Sequence, residues 1–199
     1  MRKIRRFKIP VHHREIARRI ANAGVGPQAG LSGEAAAAEF VSVLACELEP
    51  SVVYDTFGRD APFAEHAGVF SAAAVTLGRK IDEKISSLSD PSAKEAAAIA
   101  SLEFLETAAD FVRELIEDEA KKENFETHPP EALFLPAQTA SGRGLPPRFA
   151  RLCDGAGEKT PLILQKLSAD KIGVEPAGSP AFTFVFLLPW AGKKKRRAK

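Results

Sequence analysis

The stretch "SDPSAKEAAAIASLEFLETAADFVRELIEDEAKKENF", residues 89–125, carries the strongest helical pattern of the chain. Two start signals stand at its head. Asp90 can cap a helix whose first position is Pro91, or Ser92 and Glu95 can form a capping box. From there the spacing predicts a helix to about Glu123. Its first half is apolar nearly all round, which predicts burial on more than one side. Its second half is amphipathic, with Phe104, Ala108, Phe111, Leu115 and Ile116 facing inward.

The flanks differ in character. "VFSAAAVTLG" (69–78) is apolar without helical spacing and stops at Gly78, so it reads as a buried strand. A short helix with Ile81, Ile85 and Leu88 on one face follows. Downstream, "ALFLPAQ" (132–138) reads as a strand and residues 141–147, rich in glycine and proline, as a loop. Thr160-Pro161 predicts the start of a helix carrying Leu162, Leu164 and Leu167. "KIGV" (171–174) reads as a short strand. "FTFVFLLP" (182–189) places Phe182, Phe184, Phe186 and Leu188 on one face and Thr183, Val185 and Leu187 on the other. Both sides of that strand are therefore expected to be covered.

Toward the N-terminus, residues 11–23 put Ile16, Ala17 and Ile20 on one helical face with arginines opposite. "AGVGPQAG" breaks that helix. Ser32 is the expected N-cap of a second helix running to about Glu49, with Ala36, Phe40, Val43, Leu44 and Leu48 in period, and Pro50 ends it. Strands scattered among helices without regular βαβ alternation predict an α+β fold. The expected organisation is a basic N-terminal arm (1–10), one domain (11–190) and a basic, disordered tail (191–199).

Composition sets outer bounds. An apolar fraction of 45 % in 199 residues is enough for a real core. No apolar run approaches the roughly 18 residues that cross a bilayer, and "MRKIRRFKIP" has no apolar stretch behind it to make a secretory signal. Two cysteines, Cys46 and Cys153, make no disulfide framework. A cytoplasmic protein without membrane contact is the expectation. The net charge of +2 hides an asymmetry. Residues 2–8 hold five basic side chains and residues 193–199 six, which leaves the body at −9. Basic ends could grip nucleic acid, but the acidic body makes nucleic acid the least favoured partner.

Chemistry-bearing residues are few. "RLCDGAG" (151–157) offers Arg151, able to clamp a carboxylate, and Gly155 and Gly157, which let backbone approach a ligand or expose N–H groups to an anion. The same residues also make an ordinary turn. Asp110 lies in "TAADFVREL" at the edge of an apolar stripe, where it can receive an ammonium or face water. Cys46 is expected in the core, and Cys153, in the glycine loop, has no histidine neighbour to activate it. No HExxH, CxxC, P-loop or dinucleotide fingerprint is present, so no metal site is assigned.

In order along the chain, "AAAVTLGRKID", the long helix through "TAADFVREL", "RLCDGAG", "PLILQKL", "KIGV" and "FVFLLP" resemble the reactivation (activation) domain of vitamin B12-dependent methionine synthase and its free-standing versions. "HREIARRI" is similar to that family's first helix, and "ELEPSVVYDTF" to the segment before its first strand. The resemblance covers most of the chain. It implies an α+β fold with a twisted, mostly antiparallel sheet, a long buried helix and flanking helices.

The resemblance also implies a function. Such a domain binds S-adenosylmethionine and presents it to a corrinoid. When cobalamin is oxidised to Co(II), an electron and the methyl group restore methylcobalamin. The family's ligand-binding pattern falls on Asp110, Arg151, Cys153, Gly155, Ala156 and Gly157. In that scheme Arg151 holds the ligand carboxylate, Asp110 its amino group, and the loop backbone lines the adenosyl portion. Ala156 stands where the family has a loop tyrosine, and Asp154 where it has a proline. Tyr54 and Trp190, the single tyrosine and single tryptophan, are candidate replacements for the lost aromatic ring. Implied partners are a separate cobalamin-dependent methionine synthase or another corrinoid protein, and a flavodoxin-like electron donor. The alternative is a non-catalytic docking module that keeps the fold with a decayed S-adenosylmethionine site.

Overall fold

The computed structural model describes residues 1–61, 68–134, 156–175 and 178–192. Six strands form one antiparallel sheet: β1 (Arg2–Arg5), β2 (Ser51–Phe57), β3 (Phe70–Thr76), β4 (Phe125–Thr127), β5 (Glu131–Phe134) and β6 (Thr183–Gly192). Among the described residues, five helices accompany them: α1 (His13–Asn22), α2 (Glu34–Ala45), α3 (Arg79–Ser87), α4 (Pro91–Lys122) and α5 (Ala156–Lys166). The strand order is β1-β2-β3-β6, with the short strands β4 and β5 sharing the other side of β6. The fold is α+β. No helix among the described residues is long and apolar enough to cross a membrane.

Alternation along the strands sorts side chains into two layers. Val52, Tyr54, Ala73, Val75, Phe184, Phe186 and Leu188 point into a core shared with α1, α2, α3 and α4. Val53, Ala72, Ala74, Val185 and Leu187 point the other way, into a smaller core with Ile163, Leu164 and Leu167 of α5. β6 is thus covered on both faces, as its unbroken apolar run predicts. Pro189, which has no N–H for a ladder, lies between the residues that pair with β5 (185–187) and those that pair with β4 (190–192).

α4 spans 32 residues, about 48 Å at 1.5 Å per residue. Asp90 caps it: the Ala93 N–H donates to Asp90 Oδ2 at 2.8 Å, and Pro91 takes the first helical position. Of the two start signals, the structure uses this one. Asp90→Ala should lose about 0.5–2 kcal/mol of stability, measurable by urea unfolding. Burial follows the predicted change of character: Ala96, Ala97, Ile99, Ala100, Ser101 and Leu102 are buried in succession or nearly so, and single stripes take over later.

Gly78 of the Thr-Leu-Gly motif has a structural reason. Its φ of +89° suits glycine, and a Cβ there would meet Glu49 Cβ at 3.1 Å. Gly78→Ala combines positive-φ backbone strain of roughly 1–3 kcal/mol with that close approach. Its thermal midpoint should fall by several degrees; an unchanged midpoint would contradict this account.

Several expectations are corrected. The N-terminal arm is not free: Arg2, Lys3, Ile4 and Arg5 pair with Tyr54, Val53, Val52 and Ser51. Ile4 packs on the larger core, Arg2 pairs with Glu119, and Arg5 donates to the Lys171 carbonyl. The segment 51–57, not assigned as a strand from sequence, is β2. α2 starts after Gly33 rather than Ser32 and stops at Ala45. Beyond it, the Glu49 N–H is taken by the Leu77 carbonyl at 2.9 Å, which leads the chain into the sheet. α2 buries Ala37, Val41 and Leu44, so Val43 is turned outward, 46 % exposed. Cys46, expected in the core, is exposed at the end of that helix.

At the other end, α5 begins at Ala156 and carries Pro161 inside it, instead of starting at Thr160-Pro161. "KIGV" is not a strand. A 3-10 turn, Ala169–Ile172, is followed by Gly173 with φ +78°, and an alternating pattern cannot propagate through that reversal. β6 continues to Gly192, two residues into the expected tail. Residues 193–199 and the expected loop at 141–147 lie outside the described residues.

Candidate functional site

Asp110 is the one expected ligand-binding residue whose surroundings are described in side-chain detail. It sits on α4 where that helix passes α1, and together they form a groove of about 340 Å³. The groove is acidic. Glu15 from α1 and Glu103, Glu106, Asp110 and Glu114 from α4 line it, against the single guanidinium of Arg19. Phe104 and Phe111 supply apolar wall. Phe111 is held by stacking on Phe7, with ring centroids 5.0 Å apart.

Helical spacing produces this stripe. Glu103, Glu106, Asp110 and Glu114 are three or four residues apart, so they follow one another along one face of α4. Glu15 and Arg19 are four apart on α1 and bond to each other, Nε to Oε1, at 3.3 Å. Arg19 also pairs with Glu103, and its Nη1 lies 3.9 Å from Oε2 of the buried Glu106. The guanidinium thus stitches α1 to α4 through two carboxylates, Glu103 and Glu106, while Glu15 holds it from its own helix.

Asp110 is half-buried, and Arg113 Nε donates to its Oδ1 at 3.4 Å. Burial pushes its pKa up, and the nearby Arg113 only partly opposes this. Removal from water disfavours the charged carboxylate, so a cation entering the groove would relieve the penalty. Glu15, partly exposed and bonded to Arg18 and Arg19, is held below the usual carboxylate range. No three His, Cys, Asp or Glu among the described residues are grouped to hold a metal ion.

The remaining expected site residues lie elsewhere. Ala156 and Gly157 form the first turn of α5 rather than a loop. That helix packs on the sheet face opposite α4, so the structure does not bring these two residues together with Asp110. Arg151, Cys153 and Gly155 lie outside the described residues. The two aromatic side chains considered as replacements are committed to the core. Tyr54 is 3 % exposed and donates from Oη to Glu119 Oε1 at 2.7 Å. Trp190 is 7 % exposed and donates from Nε1 to Ser71 Oγ at 3.1 Å.

Sequence reasoning missed Arg19, Glu103 and Glu106. Their signal was available as acid repeats at helical spacing beside Asp110, but the apolar stripe that runs with them dominates the pattern. Compared with known proteins, the chain matches no family model and no curated protein.

Proposed function

We propose that this protein is a counterpart of the methionine synthase activation domain, binding S-adenosylmethionine for the reductive remethylation of a protein-bound corrinoid. The observation that carries the reading is the acidic groove at Asp110. S-adenosylmethionine bears a sulfonium and an ammonium, both cationic. Five carboxylates beside the partly exposed ring of Phe111 suit such a ligand, through charge attraction and cation–π contact. The sequence resemblance supplies the rest: Arg151, Cys153 and Gly155 are the expected complement for the carboxylate and the adenosyl portion, and Ala156 and Gly157, on the other side of the sheet from α4, are left out of it.

In this reading the chain's residues bind and orient. Asp110 meets the ligand's amino group, and Glu106 and Glu103, fixed by Arg19, keep the local field negative. Phe104 and Phe111 exclude water from one side of the groove. The cobalt of the partner's corrinoid supplies the methyl-accepting chemistry, and a flavodoxin-like donor supplies the electron. No general acid or base is required of this chain.

One observation favours the second reading, a docking module with a decayed ligand site. α4, which carries Asp110, and α5 pack on opposite faces of the sheet, so the acidic groove and α5 do not form a single described pocket. A reconstitution experiment separates the two. A corrinoid-dependent methionine synthase lacking its own activation region is poised as Co(II) and supplied with a flavodoxin-like reductant and S-adenosylmethionine. Adding this protein should restore methylcobalamin, followed by its absorption spectrum. Binding to the corrinoid protein without recovery of the spectrum would establish the docking role instead.

A further inference from the structure

α1 separates two grooves of opposite character. Across α1 from the acidic one, the segment 24–33 and the first turn of α2 complete a larger groove of about 590 Å³. That volume is in the range of small-molecule sites. Its floor is apolar, made of Ala17, Ile20, Ala21, Pro27, Leu31 and Ala37. The charged side chains lining its mouth are Arg14, Arg18 and Glu34, and Arg18 also meets Glu15 beside it.

Both guanidiniums keep donors toward solvent. Arg14 meets Glu34 through Nε at 3.2 Å, with its side chain 92 % exposed. Arg18 uses one terminal nitrogen on Glu15 at 2.8 Å, with its side chain 69 % exposed. A guanidinium has five N–H donors, so each can still take a carboxylate in a two-bond fork. The first turn of α2 adds partial positive charge at the same mouth. Its N-cap is Gly33, which brings no side chain to satisfy that turn's N–H groups.

We propose that this groove binds an amphiphilic carboxylate, its apolar body on the Ala17, Ile20 and Leu31 floor and its head group at Arg14 and Arg18. The apolar floor disfavours a small, fully hydrated anion, and the arginine mouth disfavours an organic cation. The inference is independent of the function proposed above, because the two grooves lie on different sides of α1 and take ligands of opposite charge.

The test is a nuclear magnetic resonance titration of the isotope-labelled full chain with dodecanoate below its micelle concentration. Dodecyltrimethylammonium serves as the probe of opposite charge. Saturable shifts are expected at the amides of Ala17, Ala21 and Leu31. Ala21 is exposed and lines the groove, so Ala21→Trp should fill it without disturbing the core and abolish binding. The double variant Arg14→Gln, Arg18→Gln should weaken dodecanoate by about tenfold or more while leaving the thermal midpoint nearly unchanged. The cationic probe should bind at least about tenfold more weakly than dodecanoate. Absence of saturable shifts, undiminished binding to Ala21→Trp, or equal binding of the two probes would overturn the proposal.

Discussion

Phe186→Ala is expected to remove about 3–5 kcal/mol of stability and to lower the thermal midpoint by roughly 6–20 °C for a domain of this size. Phe186 is fully buried at the centre of the molecule. Its strand neighbours are Ala73 on β3 and Ala132 on β5, so small side chains flank it on both sides. Its ring stacks on Phe184 at 5.3 Å between centroids. Neighbouring methyl groups cannot extend to refill the space, so the cavity term adds to the lost transfer energy. Circular dichroism melting reads the effect directly. A loss below about 1 kcal/mol would mean that the larger core does not close over β6 as described.

Asp110→Asn carries the second large effect, and it separates function from stability. Removing the carboxylate deletes a charged partner for the ligand's ammonium, which should weaken S-adenosylmethionine binding by roughly 10–100-fold. Stability should move the other way. Burial raises the pKa of Asp110 in the folded protein. A raised pKa means that the stabilising contribution is present at low pH, where the group is protonated, and is lost as pH rises through the folded value. At neutral pH the ionised carboxylate is therefore a cost, and asparagine removes it. The variant should melt no lower than the parent at pH 7, and its relative advantage should shrink on acidification. An affinity loss accompanied by a lower midpoint at pH 7 would assign Asp110 a structural role instead.

The elements legible in the sequence are those where one pattern dominates. α4 shows itself through Asp90, Pro91 and an unbroken helical period, and β6 through alternation that is apolar on both faces. β1 was hidden because Arg2, Lys3 and Arg5 read as a charged arm. Only Ile4 shows that the segment has an inward face, and the pairing with β2 joins residues about fifty positions apart. The sequence of α2 fits more than one apolar stripe, because alanines and valines recur around it, and tertiary packing selects Ala37, Val41 and Leu44. "KIGV" has strand-forming residues, but the left-handed Gly173 closes a turn there.

The site was legible in part for the same reasons. Asp110 was found through its place beside the apolar stripe, and the structure gives it a groove. Arg19, Glu103 and Glu106 were passed over because α1 and α4 are separated by about eighty residues, and neither helix alone shows that its charges face the other. The opening of α5 was misread because Pro161 is a common first helical residue, whereas here the helix already runs through Ala156 and Gly157.

Calorimetric titration of the intact protein with S-adenosylmethionine, repeated with S-adenosylhomocysteine, decides whether the Asp110 groove takes a sulfonium ligand. Saturable binding at one site, tighter than about 1 mM, is expected. S-adenosylhomocysteine should bind several-fold more weakly, because its neutral thioether gives the carboxylates of the Asp110 groove one positive charge fewer to attract. No saturable heat for S-adenosylmethionine at several times that concentration, or equal affinity for the two ligands, would contradict that role for the groove.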